Sequence, residues 1–403
     1  MCAKFGFGAL VAWRMPVISV SPPRGDTCAM NTLIVCAGLF FGGATLLHIA
    51  SILVAAARRR PAERVAPAPK APGVSIVRPV CGIDNYAKET LRSTFRLDYP
   101  DCEILFCVAS ARDPVVPLIE RLNAEFPGRA RLLIGEERIG ANPKLNNLVK
   151  GWHAAKHDWI VIADSNVQMP PDTIQRLIAT WRSDTGLVCA PPIGCRPRGF
   201  WAELECAFLN TYQARWQYFA DTIGLGFAQG KTMLWRREVL HAAGGIAALG
   251  IDLAEDAAAT KVVDAQGLRV RLVDAPFGQP LGMRRAAEVW SRQVRWARLR
   301  RGSFPLFFLP ELLSGVLSPA LCCALLASAA GVPVLPAVTA FLAIWYFGEF
   351  VLARAARWQL SPLSPLAWML RDLLLPVLWL NAWRSGFVWR GHAMHIASQG
   401  RAA

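Results

Sequence analysis

The stretch Trp159-Ile-Val-Ile-Ala163-Asp164-Ser165-Asn166 decides the fold class. Five apolar residues, three of them β-branched, suit a short buried strand better than a helix. The strand runs directly into an acid, a hydroxyl and an amide. Working outward, similar runs recur at Val74–Val80, Glu103–Val108, Arg131–Ile134 and Leu187–Ala190. Helix-like patterns lie between several of them, at Lys88–Phe95, Val115–Glu125 and Asp172–Arg182. Strand and helix in alternation predict an α/β domain with a mostly parallel, doubly wound sheet. Ligands of such sheets sit beyond the carboxyl ends of the strands, so the residues there are the first candidates.

Those residues carry chemistry. Val74–Val77 leads into Arg78-Pro79, the strand ending at Val108 is followed by Asp113, and the quoted strand ends at Asp164-Ser165-Asn166. A strand-end carboxylate can ligate a hard divalent cation, which in turn holds a diphosphate. One such aspartate alone is more often a turn former or helix cap, but three strand-end candidates in one sheet weaken that reading. Paired acids, Glu255-Asp256, precede the helix-like Ala257–Val263. They suit the positive end of a helix, or a general base at the mouth of the sheet. On a helix, Arg292, Arg295, Trp296 and Leu299 would share one face. With Arg298, Arg300 and Arg301 they also form a basic patch suited to anionic lipid.

The flanks are oily. Leu33–Ala57 is uncharged; at ~1.5 Å per residue it spans a hydrocarbon core of ~30 Å with some tilt. Arg58-Arg59-Arg60 follows where a cleavage site would stand, so a retained anchor over 30–57 is expected, not a signal peptide. The arginines place the next segment in the cytoplasm. Residues 1–29 read as a poorly ordered extension, with Met30 an alternative start, and 58–73 as a basic, Pro-rich linker. The polar domain occupies 74–303. A C-terminal membrane region over 304–389 would hold a two-span hairpin and a re-entrant or third span interrupted by Arg371-Asp372, before a tail at 390–403. A charge pair at mid-bilayer is costly unless it faces protein or water. The aromatic stretch Phe200–Phe219 suits an interfacial helix or one packed on the sheet.

Composition agrees. Of 403 residues, 54% are hydrophobic, 44 are basic and 29 acidic, a net charge of +15; mean hydropathy is +0.30. Disorder is excluded, and an oily, basic protein held in a bilayer is implied. Arginine outnumbers lysine 36 to 8, a weak sign of a GC-rich bacterial genome. The 11 cysteines include no C-x-x-C pair and read as reduced. Gly230-Lys231-Thr232 imitates the end of a P-loop, but the glycine required five residues earlier is Leu225. Gly224-Leu-Gly226 imitates a dinucleotide fingerprint and fails at Gln229. No nucleic-acid motif occurs.

Taken in order, Arg78-Pro79, Leu97-Asp-Tyr-Pro100, Asp113-Pro114, Gly140-Ala-Asn-Pro-Lys144-Leu-Asn-Asn147, Asp164-Ser-Asn166, Ala254-Glu255-Asp256 and Arg292-Gln293-Val-Arg295-Trp296 resemble the ceramide glucosyltransferases of glycosyltransferase family 21. The resemblance covers about Val74–Leu313. It implies a GT-A fold: a nucleotide-sugar-binding α/β domain with an N-terminal transmembrane helix and C-terminal membrane helices. It also implies an inverting transfer of a hexose, with glucose expected, from a UDP-sugar to the primary hydroxyl of ceramide at the cytoplasmic leaflet of a bacterial inner membrane. By the resemblance Asp256 is the catalytic base. Arg78, Pro79, Asp113, Lys144, Asp164, Gln293, Arg295 and Trp296 bind the donor, with Asp113 at the uridine. Asp164 and Asn166 hold a divalent cation, Mg2+ or Mn2+. Many relatives carry a second acid where this chain has Asn166, which brings oxygen but no charge. A different lipid acceptor (a hopanoid polyol, a sterol or diacylglycerol) stays open. A processive polysaccharide synthase shares the Gln-x-x-Arg-Trp string but usually needs more spans, and a non-enzymatic basic binder leaves the acids unexplained.

Overall fold

The computed structural model describes residues 24–58, 64–66, 68, 70–384, 386–389 and 392–395. Expectations for residues 1–23, for much of the linker and for the end of the tail lie outside them. Nine strands build the α/β domain: β1 (Val74–Val80), β2 (Cys102–Val108), β3 (Ala130–Ile134), β4 (Trp159–Ala163), β5 (Thr185–Cys189), β6 (Pro192–Arg198), β7 (Thr232–Arg236), β8 (Arg269–Leu272) and β9 (Phe277–Met283). Seven form one sheet in the order β3-β2-β1-β4-β7-β5-β8, and β6 pairs with β9. The sheet is mostly parallel, as its alternating pattern predicts. The exception is β7, antiparallel to both β4 and β5.

The helices are α1 (Arg24–Ala57), α2 (Ala87–Phe95), α3 (Val116–Glu125), α4 (Pro143–Ala154), α5 (Thr173–Thr180), α6 (Phe200–Ala207), α7 (Arg215–Thr222), α8 (Arg237–Ala242), α9 (Glu255–Ala265), α10 (Ala286–Ser303), α11 (Pro305–Phe308), α12 (Leu317–Ala329), α13 (Val334–Ala356) and α14 (Ser364–Asn381). The central strands are buried on both faces, which explains their near-continuous apolar sequences. Val77, Leu105, Ile160 and Ile162 pack with Leu145, Leu148 and Trp152 of α4. Ile76, Ile104, Phe106 and Val161 pack with residues of α2, α3 and α5 on the other face.

Chain order sets the position of the site. From β1 the sheet grows through β2 and β3 in one direction and through β4 in the other. The switch point therefore lies between β1 and β4, and the loops leaving their carboxyl ends splay apart to leave a crevice. Asp164 is the first residue beyond β4.

Outside this domain, α1 and α13 are long and apolar enough to cross a membrane. The segments Pro305–Leu313 and Leu317–Ala329 form a pair bent by 43°, as Pro305, Pro310 and Pro319 lead one to expect. Outward-facing Leu39, Leu46, Leu321 and Leu335 are each at least 70% exposed, an apolar surface suited to lipid. The first helix begins at Arg24, inside the stretch expected to be a poorly ordered extension; Pro22-Pro23 is the nearest helix breaker in the sequence. In α14, Arg371 is buried and donates to Glu349 of α13 at 2.7 and 2.9 Å, to Asp372 at 2.9 Å and to Thr211 at 2.9 Å. The pair that interrupts the apolar run thus faces protein.

The aromatic stretch is a continuous rod, α6, a π-helical segment Phe208–Ala214 and α7. It packs on β6 on one side and on α14 and α1 on the other. Asn210 fastens it to β6 by accepting from Gly194 N at 2.7 Å and donating to Gly194 O at 3.0 Å. At the basic end of α1, Arg58 pairs with Asp221 (2.7 Å) and Asp274 (3.1 Å). These contacts draw the α/β domain against that end of the membrane helix.

Candidate active site

The turn after β4 is shaped from below. Arg78 is fully buried, and its guanidinium donates to the carbonyls of Asp164 (2.6 Å), Val167 (2.9 Å) and Thr90 (2.9 Å) and to the Thr94 hydroxyl. Burial pulls its pKa down to about 10, so it keeps its charge at neutral pH. Arg78 and Pro79, both expected at the donor, are buried in β1, where the terminal nitrogens of the arginine shape the acidic turn.

Above the turn, Asp164 Oδ1 lies 2.6 Å from Lys144 Nζ and Oδ2 lies 2.8 Å from Lys231 Nζ. Burial alone would raise this carboxyl; the two ammoniums instead hold it well below the usual carboxylate range. Lys231 Nζ also donates to Asn166 Oδ1 at 3.2 Å. Lys144 belongs to α4, whose N-cap Asn142 accepts from Lys144 N (2.9 Å) and Leu145 N (3.1 Å). Pro143 follows at the first helical position, where its missing N–H costs nothing.

Lys144 joins the two acidic loops. Its Nζ donates to Glu255 Oε1 at 2.5 Å and to Gly230 O at 2.6 Å as well as reaching Asp164. Asn142 Nδ2 donates to the other Glu255 oxygen at 2.7 Å. Beside them, Asp256 Oδ2 accepts from Gly230 N at 3.0 Å and Oδ1 from Ala257 N at 2.9 Å. Burial first, and the Glu255 carboxylate second, push Asp256 up to about 6. A side chain on Gly230 would put its Cβ 2.8 Å from Glu255 Oε1 and 3.3 Å from both Asp256 Oδ2 and Lys144 Nζ. Glycine is required there by close approach. Asp164, Asn166, Lys144 and Asp256 are therefore gathered at one spot from three distant parts of the chain.

Asp113 sits at the rim. Its carboxylate accepts from Gly82 N (3.0 Å to each oxygen) and Val115 N (2.9 Å), tying the loop after β1 to the loop after β2. Gly82 has φ +69°, a left-handed conformation that suits glycine. Asn147, from the same motif as Lys144, pins both strand ends by donating to Val80 O (3.2 Å) and Cys107 O (2.9 Å).

The Gln-x-x-Arg-Trp string lies on α10. Gln293 is buried and its Oε1 accepts from Gln213 of the π-helix at 3.4 Å. Trp296 packs against Ala202, Cys206, Leu209 and Leu281, and Arg295 is half-buried. The contacts of Gln293 and Trp296 are thus with the rod and, through Leu281, with β9. A polar chain links this helix to the acidic turn: Arg292 and Arg284 both pair with Glu205, Arg284 pairs with Asp84 (3.1 Å), and Asn166 Nδ2 donates to Asp84 at 3.5 Å.

For a divalent cation the donor atoms suit. Asp164 and Asn166 offer hard oxygens converging on one point, which the Lys231 ammonium marks by touching both. Among the described residues no group of three or more His, Cys, Asp or Glu is disposed to hold a metal.

Sequence reasoning passed over Lys231 and the Asp84–Arg284–Glu205 chain, and noted Glu255 only as one of two paired acids. Gly230-Lys231 was visible only as a failed P-loop. Its actual signal is the strand it opens, since the register Ala163↔Thr232 sets Lys231 across from Asp164, with Asp164 N donating to Lys231 O at 3.0 Å.

Comparison with known proteins gives the family. The family model "Glycosyl transferase family 21" matches residues 43–402. Ceramide glucosyltransferase 3 of Caenorhabditis elegans is 28% identical over 383 residues, 92% of this chain and 83% of the relative. Ceramide glucosyltransferase 1 of the same organism is 27% identical over 365 residues, covering 88% and 78%. Among solved structures, the mannosyltransferase PcManGT of Pyrobaculum calidifontis in complex with GDP-Man and Mn2+ is 20% identical with a TM-score of 0.49, covering 85% of this chain and 99% of that one. The chain belongs to glycosyl transferase family 21 and is a nucleotide-sugar-dependent glycosyltransferase.

Proposed function

We propose that this enzyme moves glucose from UDP-glucose to the primary hydroxyl of ceramide, with inversion at the anomeric carbon, on the cytoplasmic face of a bacterial inner membrane. The observation that carries the reading is the Lys144 bridge. It brings the β4 turn and the α9 acids to opposite sides of one ammonium, which supports a donor site and a base side by side. The relatives' names supply the sugar and the lipid.

In this reading residues 74–303 are the catalytic unit, 30–57 the anchor and 304–389 the membrane region. Asp113 and the loop after β1 receive the uridine at the switch point. Lys144 and Arg295 face the diphosphate, and Gln293 and Trp296 shape the helix that covers it. Asp164 and Asn166 hold a divalent cation, which when bound adds positive charge beside the leaving diphosphate. Asp256 accepts the proton of the attacking hydroxyl at a carboxylate oxygen. Near 6 its affinity for that proton suits a base ionised at neutral pH yet still willing to accept. The protein's own cations lie at the other end of the bond being broken, where negative charge develops.

The membrane elements match an acceptor that stays in the bilayer. Arg58 binds the catalytic unit at the basic end of α1, and basic flanks favour the cytoplasmic side.

The test is purified protein with labelled UDP-sugars and a panel of ceramide, hopanoid polyol, sterol and diacylglycerol, with and without Mg2+ or Mn2+. Glucosylceramide as the main product is expected. Transfer only to another lipid would overturn the acceptor, and a long polymer would overturn the single-transfer reading.

A further inference from the structure

We propose that Lys231 is a positioning residue of the diphosphate site. Its ammonium occupies the cation position on Asp164 and Asn166 and yields it when the diphosphate arrives. The inference rests on the donor and cation reading above and adds an order of events to it.

Lys231 Nζ is held at 2.8 Å by Asp164 Oδ2 and at 3.2 Å by Asn166 Oδ1, the same two oxygens assigned to the divalent ion. The side chain is only 14% exposed. Its place is built into the sheet, because the antiparallel register of β7 sets it directly across from the end of β4. The other Asp164 oxygen is on Lys144, and the Arg78 guanidinium holds the Asp164 carbonyl from beneath. Asp164 therefore touches three positive groups, only one of which, Lys144, is shared with a second carboxylate, Glu255, and Asn166 adds no charge to help it.

A divalent ion entering this cluster must displace Lys231 from both oxygens and then sit close to three cations, each contact repulsive. A nucleoside diphosphate reverses the balance. It offers Lys231 an anion to turn to and gives the ion phosphate oxygens to share. Metal and donor then bind with positive coupling, and that coupling is reciprocal.

The experiment uses the full chain in neutral phosphatidylcholine nanodiscs. Free Mn2+ is titrated by its EPR signal, with and without saturating UDP, for the wild type, Lys231→Met, Lys231→Gln and Lys231→Met with Asp164→Asn. Methionine keeps the apolar stem and removes the charge; glutamine serves if the methionine variant loses its near-UV circular dichroism. The wild type alone is expected to bind Mn2+ at least ~10-fold more weakly than with UDP. Either Lys231 variant alone should bind it at least ~10-fold more tightly than the wild type alone, with most of the UDP dependence gone. The added Asp164→Asn change should abolish that gain and so locate it.

Equal Mn2+ affinity of the wild type with and without UDP overturns the exchange. So do Lys231 variants that match the wild type in the absence of UDP. In both cases UDP binding measured by equilibrium dialysis persists, which leaves the donor reading standing. Failure of labelled UDP to bind the wild type at any Mn2+ concentration overturns the donor reading and the exchange together.

Discussion

Asp256→Asn separates a base from a structural carboxylate, because the two roles predict opposite changes in stability. Asp256 accepts two backbone bonds, from Gly230 N and Ala257 N. An amide has one acceptor oxygen, so one bond is lost, at a cost of about 1 kcal/mol. Against that stands the charge itself. Asp256 is pushed from the ordinary 3.8 up to about 6 by burial and by Glu255. A carboxylate whose folded value is raised destabilises the fold once ionised: nothing is lost below the ordinary value, and the full cost is present above about 6. For this group the cost is roughly 3 kcal/mol at pH 7.5. Asparagine removes it. The variant should therefore unfold no earlier than the wild type at pH 7.5, and UDP binding should be near normal.

Turnover should behave differently. Loss of a positioned base costs ~10²–10⁴-fold, equivalent to about 3–5 kcal/mol of transition-state stabilisation. The assay compares kcat for glucosyl transfer to ceramide, UDP affinity by equilibrium dialysis, and thermal unfolding in one detergent. Unchanged kcat would refute the base assignment. A large fall in Tm together with loss of UDP binding would show that Asp256 is a structural group and refute the reasoning equally.

Other outcomes follow from the same geometry. The pH profile of kcat/KM should have an acidic limb near 6, activity rising as Asp256 loses its proton; in Glu255→Gln that limb should move to lower pH, since the neighbouring charge helps raise Asp256, and a profile flat to pH 5 would count against it. Gly230→Ala should fold but lose ~10–100-fold in kcat/KM. Its Cβ would lie 2.8 Å from a Glu255 oxygen that Lys144 and Asn142 already fix, and a charge-assisted bond of about 1.5–3 kcal/mol is at stake. Wild-type kcat/KM would refute the claim of close approach. Arg371→Met leaves Glu349 and Asp372 buried without their partner, so thermal stability should fall by about 3–5 kcal/mol while the affinity for UDP, measured well below the transition, stays the same. An unchanged Tm would contradict it.

Much of this was legible in the sequence because it is local. A buried parallel strand writes itself as a β-branched run, and Trp159–Ala163 and Val74–Val80 are bounded in the structure where the pattern bounds them. Asp164 and Asp256 stand out because each follows or opens such an element. Position across the sheet is what sequence conceals. Strand β7 reads as a failed P-loop until its antiparallel pairing sets Lys231 against Asp164. Arg78 lies near the end of an apolar strand and looks ligand-facing, yet in this fully buried strand it turns inward to carbonyls. Arg371-Asp372 looks like a fault in an apolar segment because its partner Glu349 lies 22 residues upstream, on another helix.

The most direct measurement of the central claim is the structure of the product. Protein supplied with UDP-glucose and ceramide should yield a glycolipid whose NMR spectrum shows one glucose, β-linked to the primary hydroxyl, as a single displacement assisted by Asp256 requires. An α-linked glucose, or release of free glucose with the lipid unmodified, would contradict it.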